Sequence, residues 1–285
     1  MKKIISILFS SILFFSFSLN AFASSNASLY SDSNHLERLN KIEQIYGVPM
    51  YVLESLDEET LNIFYTEVNT EDVISKTSYV KFTEDSNGQI TTQSFNEAEY
   101  LNEIALEKIT LEDNPQTLAE NSWMKIKLTL LSRSDTVGEV SGHFTWLTRP
   151  TFRLHDVVGL VVQNGTAIKD SAAGFYTYQT SQGTVNNTWT SGFKYFIGGV
   201  TKTQTLAKPD YPVTSDNMFL KFQVHKNGAE GLFGTYGHQQ LSISVSSPSF
   251  ELVRTSGKLK PINFTLGKSY DEFTDYQDTN ASWSK

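Results

Sequence analysis

Cysteine is absent from the 285 residues. That absence removes thiol catalysis, cysteine-ligated zinc and iron–sulfur chemistry, and it leaves burial alone to hold the fold. Basic charge is also scarce, with 23 Lys and Arg against 31 Asp and Glu and a net charge of −8. Neutralising several phosphates needs a basic stripe, and here the cations are scattered, so nucleic acid is excluded as a partner. Beyond the first twenty residues no run is apolar enough to span a bilayer. Catalytic signatures are missing as well: no histidine pair has H-E-x-x-H spacing, the G-x-S-x-G elbow does not occur, and no solenoid or propeller period repeats.

What is present begins with a leader. Lys2 and Lys3 precede an apolar run from Ile4 to Leu19, and Ala21-Phe22-Ala23 offers small residues where a signal peptidase reads. The run is shorter than the roughly 20 apolar residues of a spanning helix. The expectation is a cleaved signal peptide, a secreted or extracellular chain starting at Ser24, and a mature net charge of −10, because the leader removes two lysines and no acid.

The strongest pattern lies between Trp123 and Gln163. Met124, Ile126, Leu128 and Leu130 alternate with Lys125, Lys127 and Thr129, as a half-buried strand demands. Val140, Gly142, Phe144 and Trp146 repeat the alternation against Glu139, Ser141, His143 and Thr145, which places His143 on a polar, solvated face. Val157 to Val162 is apolar on both faces and predicts a strand covered on both sides. Further strands are expected at Phe175–Thr180, Thr184–Thr190, Phe193–Ile197, Met218–His225 and Leu241–Ser246.

Upstream the periods are helical. Leu36, Leu39, Ile42 and Ile45 predict a helix stopped by Gly47 and Pro49, and the capping boxes Ser55-Leu-Asp-Glu58 and Ser94-Phe-Asn-Glu97 predict two more. The second of those would bury Ala98, Leu101, Ile104, Ala105 and Ile109. Asn87-Gly88 marks a hairpin. The fold class is therefore an α+β N-terminal region followed by a mainly antiparallel β-domain, a β-sandwich or open barrel. Its divisions are a signal peptide at 1–23, a leader at 24–34, a small acidic α+β region at 35–111, a linker at 112–121, the β-domain at 122–267 and an acidic, loosely packed tail at 268–285.

The Trp123 strand, Phe144-Thr-Trp146-Leu-Thr-Arg-Pro150, Arg153-Leu-His-Asp156 with Val157, and Gly234-Thr-Tyr-Gly-His238 together resemble a pattern of uncharacterised secreted proteins of Gram-positive bacteria. The resemblance spans roughly half the mature chain. It implies secretion and a β-rich C-terminal half, and it implies no activity and no site residue.

Two groups of residues are candidates for function. His143, Arg149, Arg153, His155 and Asp156 form a polar cluster around Pro150, where a strand must stop and turn. Two arginines and a His-Asp pair can clamp an anion or orient a base, although Arg153 paired with Asp156 would equally serve to tie down the connection. Tyr176, Tyr178, Trp189, Tyr195 and Phe196 fall on both faces of their strands, so some are expected at the surface among Asn, Gln and Thr, a setting that suits polar polymers. The alternative is a second layer of core. No cofactor or metal is expected. Three readings follow: a non-catalytic protein that binds cell-wall glycan, another extracellular polymer or a protein; a secreted hydrolase with an N-terminal pro-segment or accessory domain; and a β-structured pore former.

Overall fold

The computed structural model describes residues 33–64, 73–84, 90–113, 121–148, 153–226, 228–229, 231–239, 251–255, 258–262 and 270–278. Three helices come first: α1 (Ser33–Tyr46), α2 (Met50–Leu53) and α3 (Glu58–Phe64). Gly47 ends α1 as its sequence position predicts, with a φ of +70° and its N–H on the Glu43 carbonyl at 2.7 Å. The cap of α3 differs from the expected one. Asp57 accepts from the Thr60 N–H at 2.7 Å, while the Ser55 hydroxyl is engaged by the Val52 carbonyl at the end of α2.

Strands β1 (Val73–Glu84) and β2 (Ile90–Phe95) pair antiparallel, and the Asn87-Gly88 signal between them lies outside the described residues. Helix α4 (Glu97–Asp113) is opened by Asn96 and Glu99, each accepting the other's backbone N–H at 3.0 and 2.8 Å, two residues later than the box read from Ser94. Its expected apolar stripe is exposed at Ala98, Leu101 and Ala105, with Leu101 at 59 %, and half-buried at Ile104. The helix instead lays Tyr100, Glu103 and Glu107 over β1 and the next strand. Tyr100 stacks on Tyr79 at 4.2 Å, Lys81 reaches Glu103 and Glu107 at 2.7 and 2.8 Å, and the Trp123 indole donates to Glu107 at 3.2 Å.

The remaining strands are β3 (Asn121–Ser132), β4 (Val137–Trp146), β5 (His155–Gln163), β6 (Thr166–Ala167), β7 (Ala173–Thr180), β8 (Gly183–Trp189), β9 (Lys194–Tyr195), β10 (Gly199–Thr205), β11 (Val213–His225), β12 (Gly231–Gln239), β13 (Glu251–Thr255), β14 (Lys258–Ile262) and β15 (Tyr270–Asp278). One sheet runs β2-β1-β3-β4-β11-β7-β8, with β6 also on β11; a second runs β15-β12-β5-β10-β9; β13 and β14 form a ribbon. The sheets do not close into a barrel, and the architecture is sandwich-like. The expected strand at Leu241–Ser246 lies outside the described residues. The tail is not loose throughout, because β15 pairs with β12 from Tyr270↔Gln239 to Asp278↔Gly231. A local pattern cannot show that pairing, since the partner edge comes from a distant strand.

Between the sheets sits the main core: Met124, Ile126, Leu128 and Leu130 of β3, Phe144 and Trp146 of β4, and Leu220 and Phe222 of β11, against Val158, Leu160 and Val162 of β5, Val200 of β10, and Leu232 and Tyr236 of β12. Each fully buried aliphatic or phenyl side chain contributes about 1.5–3 kcal/mol. A second apolar cluster lies on the opposite face of the first sheet, where Leu39, Ile42, Ile45, Tyr46, Leu53, Leu61 and Phe64 pack on Leu131, Phe175 and Phe219. Helices, first sheet and second sheet are thus three layers.

That third layer changes the reading of β4. Glu139, Ser141, His143 and Thr145, expected in solvent, are buried under the helices. The regions on either side of 112–121 share a sheet through the β1–β3 pairing and share this cluster, and Arg38–Lys285 forms one compact unit. No helix among the described residues is long and apolar enough to cross a membrane.

Candidate functional site

Arg153 and Asp156 do meet at one end of the sandwich interior, though not as partners. Arg153 lies just before β5 and is 7 % exposed. Its guanidinium takes Asp216 of β11 in a two-pronged bond of 2.5 and 2.7 Å, donates Nε to the Ala207 carbonyl at 2.7 Å, and touches the Tyr176 hydroxyl at 3.2 Å. Tyr176 in turn donates to Asp216 at 2.7 Å. Burial works against the guanidinium's charge, but the bonds and charge of Asp216 outweigh it and raise the Arg153 pKa. The Tyr176 phenol is raised by burial and by the same carboxylate.

Asp156 is fully buried. It accepts from the Tyr236 hydroxyl, and its other oxygen lies 2.7 Å from Nδ1 of His238. The Trp146 indole donates to the Tyr236 oxygen at 2.7 Å. Burial first, and then the Asp156 charge, push the Tyr236 pKa well up. A histidine, a carboxylate and a hydroxyl are the raw materials of acyl transfer, but the order is wrong for it. Nucleophilic catalysis sets the imidazole between hydroxyl and carboxylate; here the carboxylate is in the middle and Tyr236 is 1 % exposed. The arrangement ties β4, β5 and β12 together across the core and closes it with satisfied polar groups.

His143 belongs to a different layer. Its Nδ1 faces the Gly47 carbonyl at 3.1 Å, which makes Nδ1 the protonated nitrogen because a carbonyl only accepts. Burial, reinforced by the charges of Lys125 and Lys127, lowers its pKa to about 3. Beside it Glu139 accepts from Tyr46, Arg133 and Lys221 at 2.7, 2.5 and 3.3 Å. Burial would raise the Glu139 pKa, but Lys221 and Arg133 overcome it and hold the carboxylate low. His155 points away from the core to Thr205, Nδ1 to Oγ1 2.9 Å, and Arg149 lies outside the described residues. Among the described residues no group of three His, Asp or Glu is placed to hold a metal.

The aromatic candidates do not form an exposed platform. Tyr176 and Trp189 are buried at 2 and 3 % exposure, and Tyr178, Tyr195 and Phe196 are half-buried. The physical reason is that both faces of β7 are covered: Phe175 lies under the helices and Tyr176 lies in the sandwich. Tyr195 uses its hydroxyl to accept the Ala172 N–H at 2.9 Å.

An open site does exist beside Trp189. Strand β8 is the edge of the first sheet, and β10 is covered on its outer side by β9 only at Val200 and Thr201. Between them opens a groove of about 400 Å³ lined by residues 187–191 and 202–205. Lys202 and Gln204 share the parity of Val200, so the inner face of β10 passes from core to groove along one strand. Gln204 Oε1 accepts from the Trp189 indole at 2.9 Å and from Asn187 at 3.3 Å. Lys202 donates to the Ser191 carbonyl at 2.7 Å. The other face of β8 is fixed to the helices, with Asn186 donating to the Ser55 carbonyl at 2.5 Å and Thr188 at 3.0 Å from Thr60. A stretch of alternating Thr, Asn and Trp thus has each face held.

No protein-family model matches the chain, and neither does any curated protein. Among solved structures the chain is similar to a pore-forming protein at 8 % identity and a TM-score of 0.25, covering 56 % of this chain and 88 % of that one. It is similar to AvmM, which catalyses macrocyclization in alchivemycin A biosynthesis, at 14 % identity and a TM-score of 0.25, covering 50 and 79 %. It is also similar to Clostridium perfringens delta-toxin, at 8 % identity and a TM-score of 0.20, covering 56 and 85 %. At such scores none of these likenesses bears on function.

Proposed function

We propose that this protein is exported and acts without catalysis, holding a hydroxyl-rich polymer of the cell envelope, such as wall glycan, in the groove between β8 and β10. The observation that carries this reading is the lining of the groove. Asn187 and Gln204 supply amides, Thr190, Ser191, Thr203 and Thr205 hydroxyls and Lys202 an ammonium, on or next to two strands whose registers are fixed by their sheets. Such groups exchange hydrogen bonds with sugar hydroxyls at little cost in order, because the strands are already in place. The leader with its Ala21-Phe22-Ala23 site supports export. The polar Asp156, Tyr236 and His238 group, by contrast, is sealed in the core and supports a structural role.

Co-sedimentation of the mature protein with insoluble wall glycan, and separately with liposomes, tests this across a salt series. The expected result is binding to glycan that persists at high salt, since hydrogen-bonded contacts are not screened as exposed charge pairs are, and no binding to liposomes. Binding to liposomes alone, or to neither, would overturn the reading.

A further inference from the structure

The groove holds one cation, and its surroundings give it a specific use. The Lys202 ammonium donates to the Ser191 carbonyl at 2.7 Å and lies 5.2 Å from the centroid of the Phe193 ring and 5.7 Å from that of Trp189. Gly192, at a φ of +74°, makes the close approach possible, because a Cβ there would stand 2.7 Å from Nζ. No carboxylate reaches this ammonium among the described residues, and burial alone accounts for the lowering of its pKa. Several half-buried or buried cations have acidic partners, Lys81 with Glu103 and Glu107, Arg153 with Asp216 and Lys221 with Glu139, whereas Lys202, like Lys127 on the Gln44 carbonyl at 2.9 Å, has a carbonyl in that place. Rings and a carbonyl orient Lys202 without neutralising it, and an ammonium has three donors of which this bond uses one.

We infer that Lys202 selects an anionic substituent, a carboxylate or phosphate group carried by the polymer in the groove, while Asn187, Gln204 and the threonines hold its neutral hydroxyls. The inference rests on the groove reading above and names its ligand class. The mature chain is acidic overall, so attraction has to come from contact within the groove and not from long-range steering, which salt screens beyond about 10 Å at 0.1 M. A partly buried charge pair surrounded by hydrogen bonds is weakened by salt without being abolished, which agrees with the persistence expected of glycan binding.

The test uses wall glycan in three forms: native, stripped of phosphodiesters, and with carboxylates amidated. Sedimentation isotherms are measured for the wild-type mature chain, Lys202→Met and Lys202→Arg. Met keeps an unbranched stem over the two rings, and thermal melting checks that the variant folds. One of the two treatments should weaken wild-type binding about tenfold, the scale of a lost charge-assisted hydrogen bond. That treatment identifies phosphate or carboxylate. Lys202→Met should bind native glycan about tenfold more weakly and be indifferent to the treatment, and Lys202→Arg should stay close to wild type. Equal wild-type affinity for all three forms overturns the anion selection and leaves the groove reading standing, whatever Lys202→Met does. Failure of the wild type to bind any form overturns both.

Discussion

Replacing Arg153 by methionine is expected to lower the unfolding free energy by about 3–5 kcal/mol, the range for stripping one partner from a buried ion pair. The side chains of Arg153 and Asp216 are 6 and 2 % exposed, so the carboxylate left behind cannot recover its hydration. Only the Tyr176 hydroxyl would still donate to it. The effect should be specific to the uncompensated charge. Arg153→Met combined with Asp216→Leu should cost less than Arg153→Met alone, because replacing both members of a buried pair by apolar groups is often close to neutral. Urea unfolding of both variants reads the difference. A single substitution costing less than about 1 kcal/mol, the worth of an exposed pair, would mean that this end of the sandwich is open to water.

The second large effect is acid sensitivity arising at His143. In the folded protein its pKa is lowered to about 3, against 6.5 for an unperturbed histidine. The unfolded chain therefore binds the proton first as pH falls. Stability from this group is complete above about pH 6.5, and between there and about pH 3 it declines by up to ~1.4 kcal/mol per unit. Glu139 acts in the same direction but lower. Its pKa is depressed from 4.5, so its contribution is present above that value and is lost only as pH falls through the lowered folded pKa. The window from pH 6.5 to 4.5 thus isolates the histidine. His143→Gln, whose amide can still donate to the Gly47 carbonyl, should flatten the urea midpoint across that window relative to wild type. Parallel profiles for the two proteins would place His143 in solvent.

These two residues also show how far the sequence could be read. Residue pattern located β3, β4, β5, β7 and β8, and in β3 and β4 the alternation set the face of each side chain correctly, because strand periodicity is local. What alternation cannot supply is the neighbour on each face. His143 was assigned to the face opposite Phe144 and Trp146, and it is there; it is buried because α1–α3 lie over it. The signal was present in Leu39, Ile42, Ile45, Leu61 and Phe64, whose apolar faces require a surface to cover. Which surface they cover is a long-range fact.

Arg153 and Asp156 stand next to a core strand as their sequence positions imply, yet their partners Asp216 and His238 come from β11 and β12, far along the chain. Pairing by proximity in sequence joined the wrong groups. The same limit applies to the groove. Trp189 was a candidate among its Asn, Gln and Thr neighbours, whereas Lys202 and Gln204 gain their meaning only because β10 of the other sheet runs opposite β8. Their parity with Val200 was the available clue.

Binding in the β8–β10 groove has a direct signature in solution. Hydrogen–deuterium exchange of residues 24–285 with and without soluble wall-glycan fragments reads it directly. Slowed exchange is expected only in peptides containing residues 187–191 and 202–205, the two segments that line the groove. Unchanged exchange there, with slowing instead at the β2 edge or along α4, would contradict it.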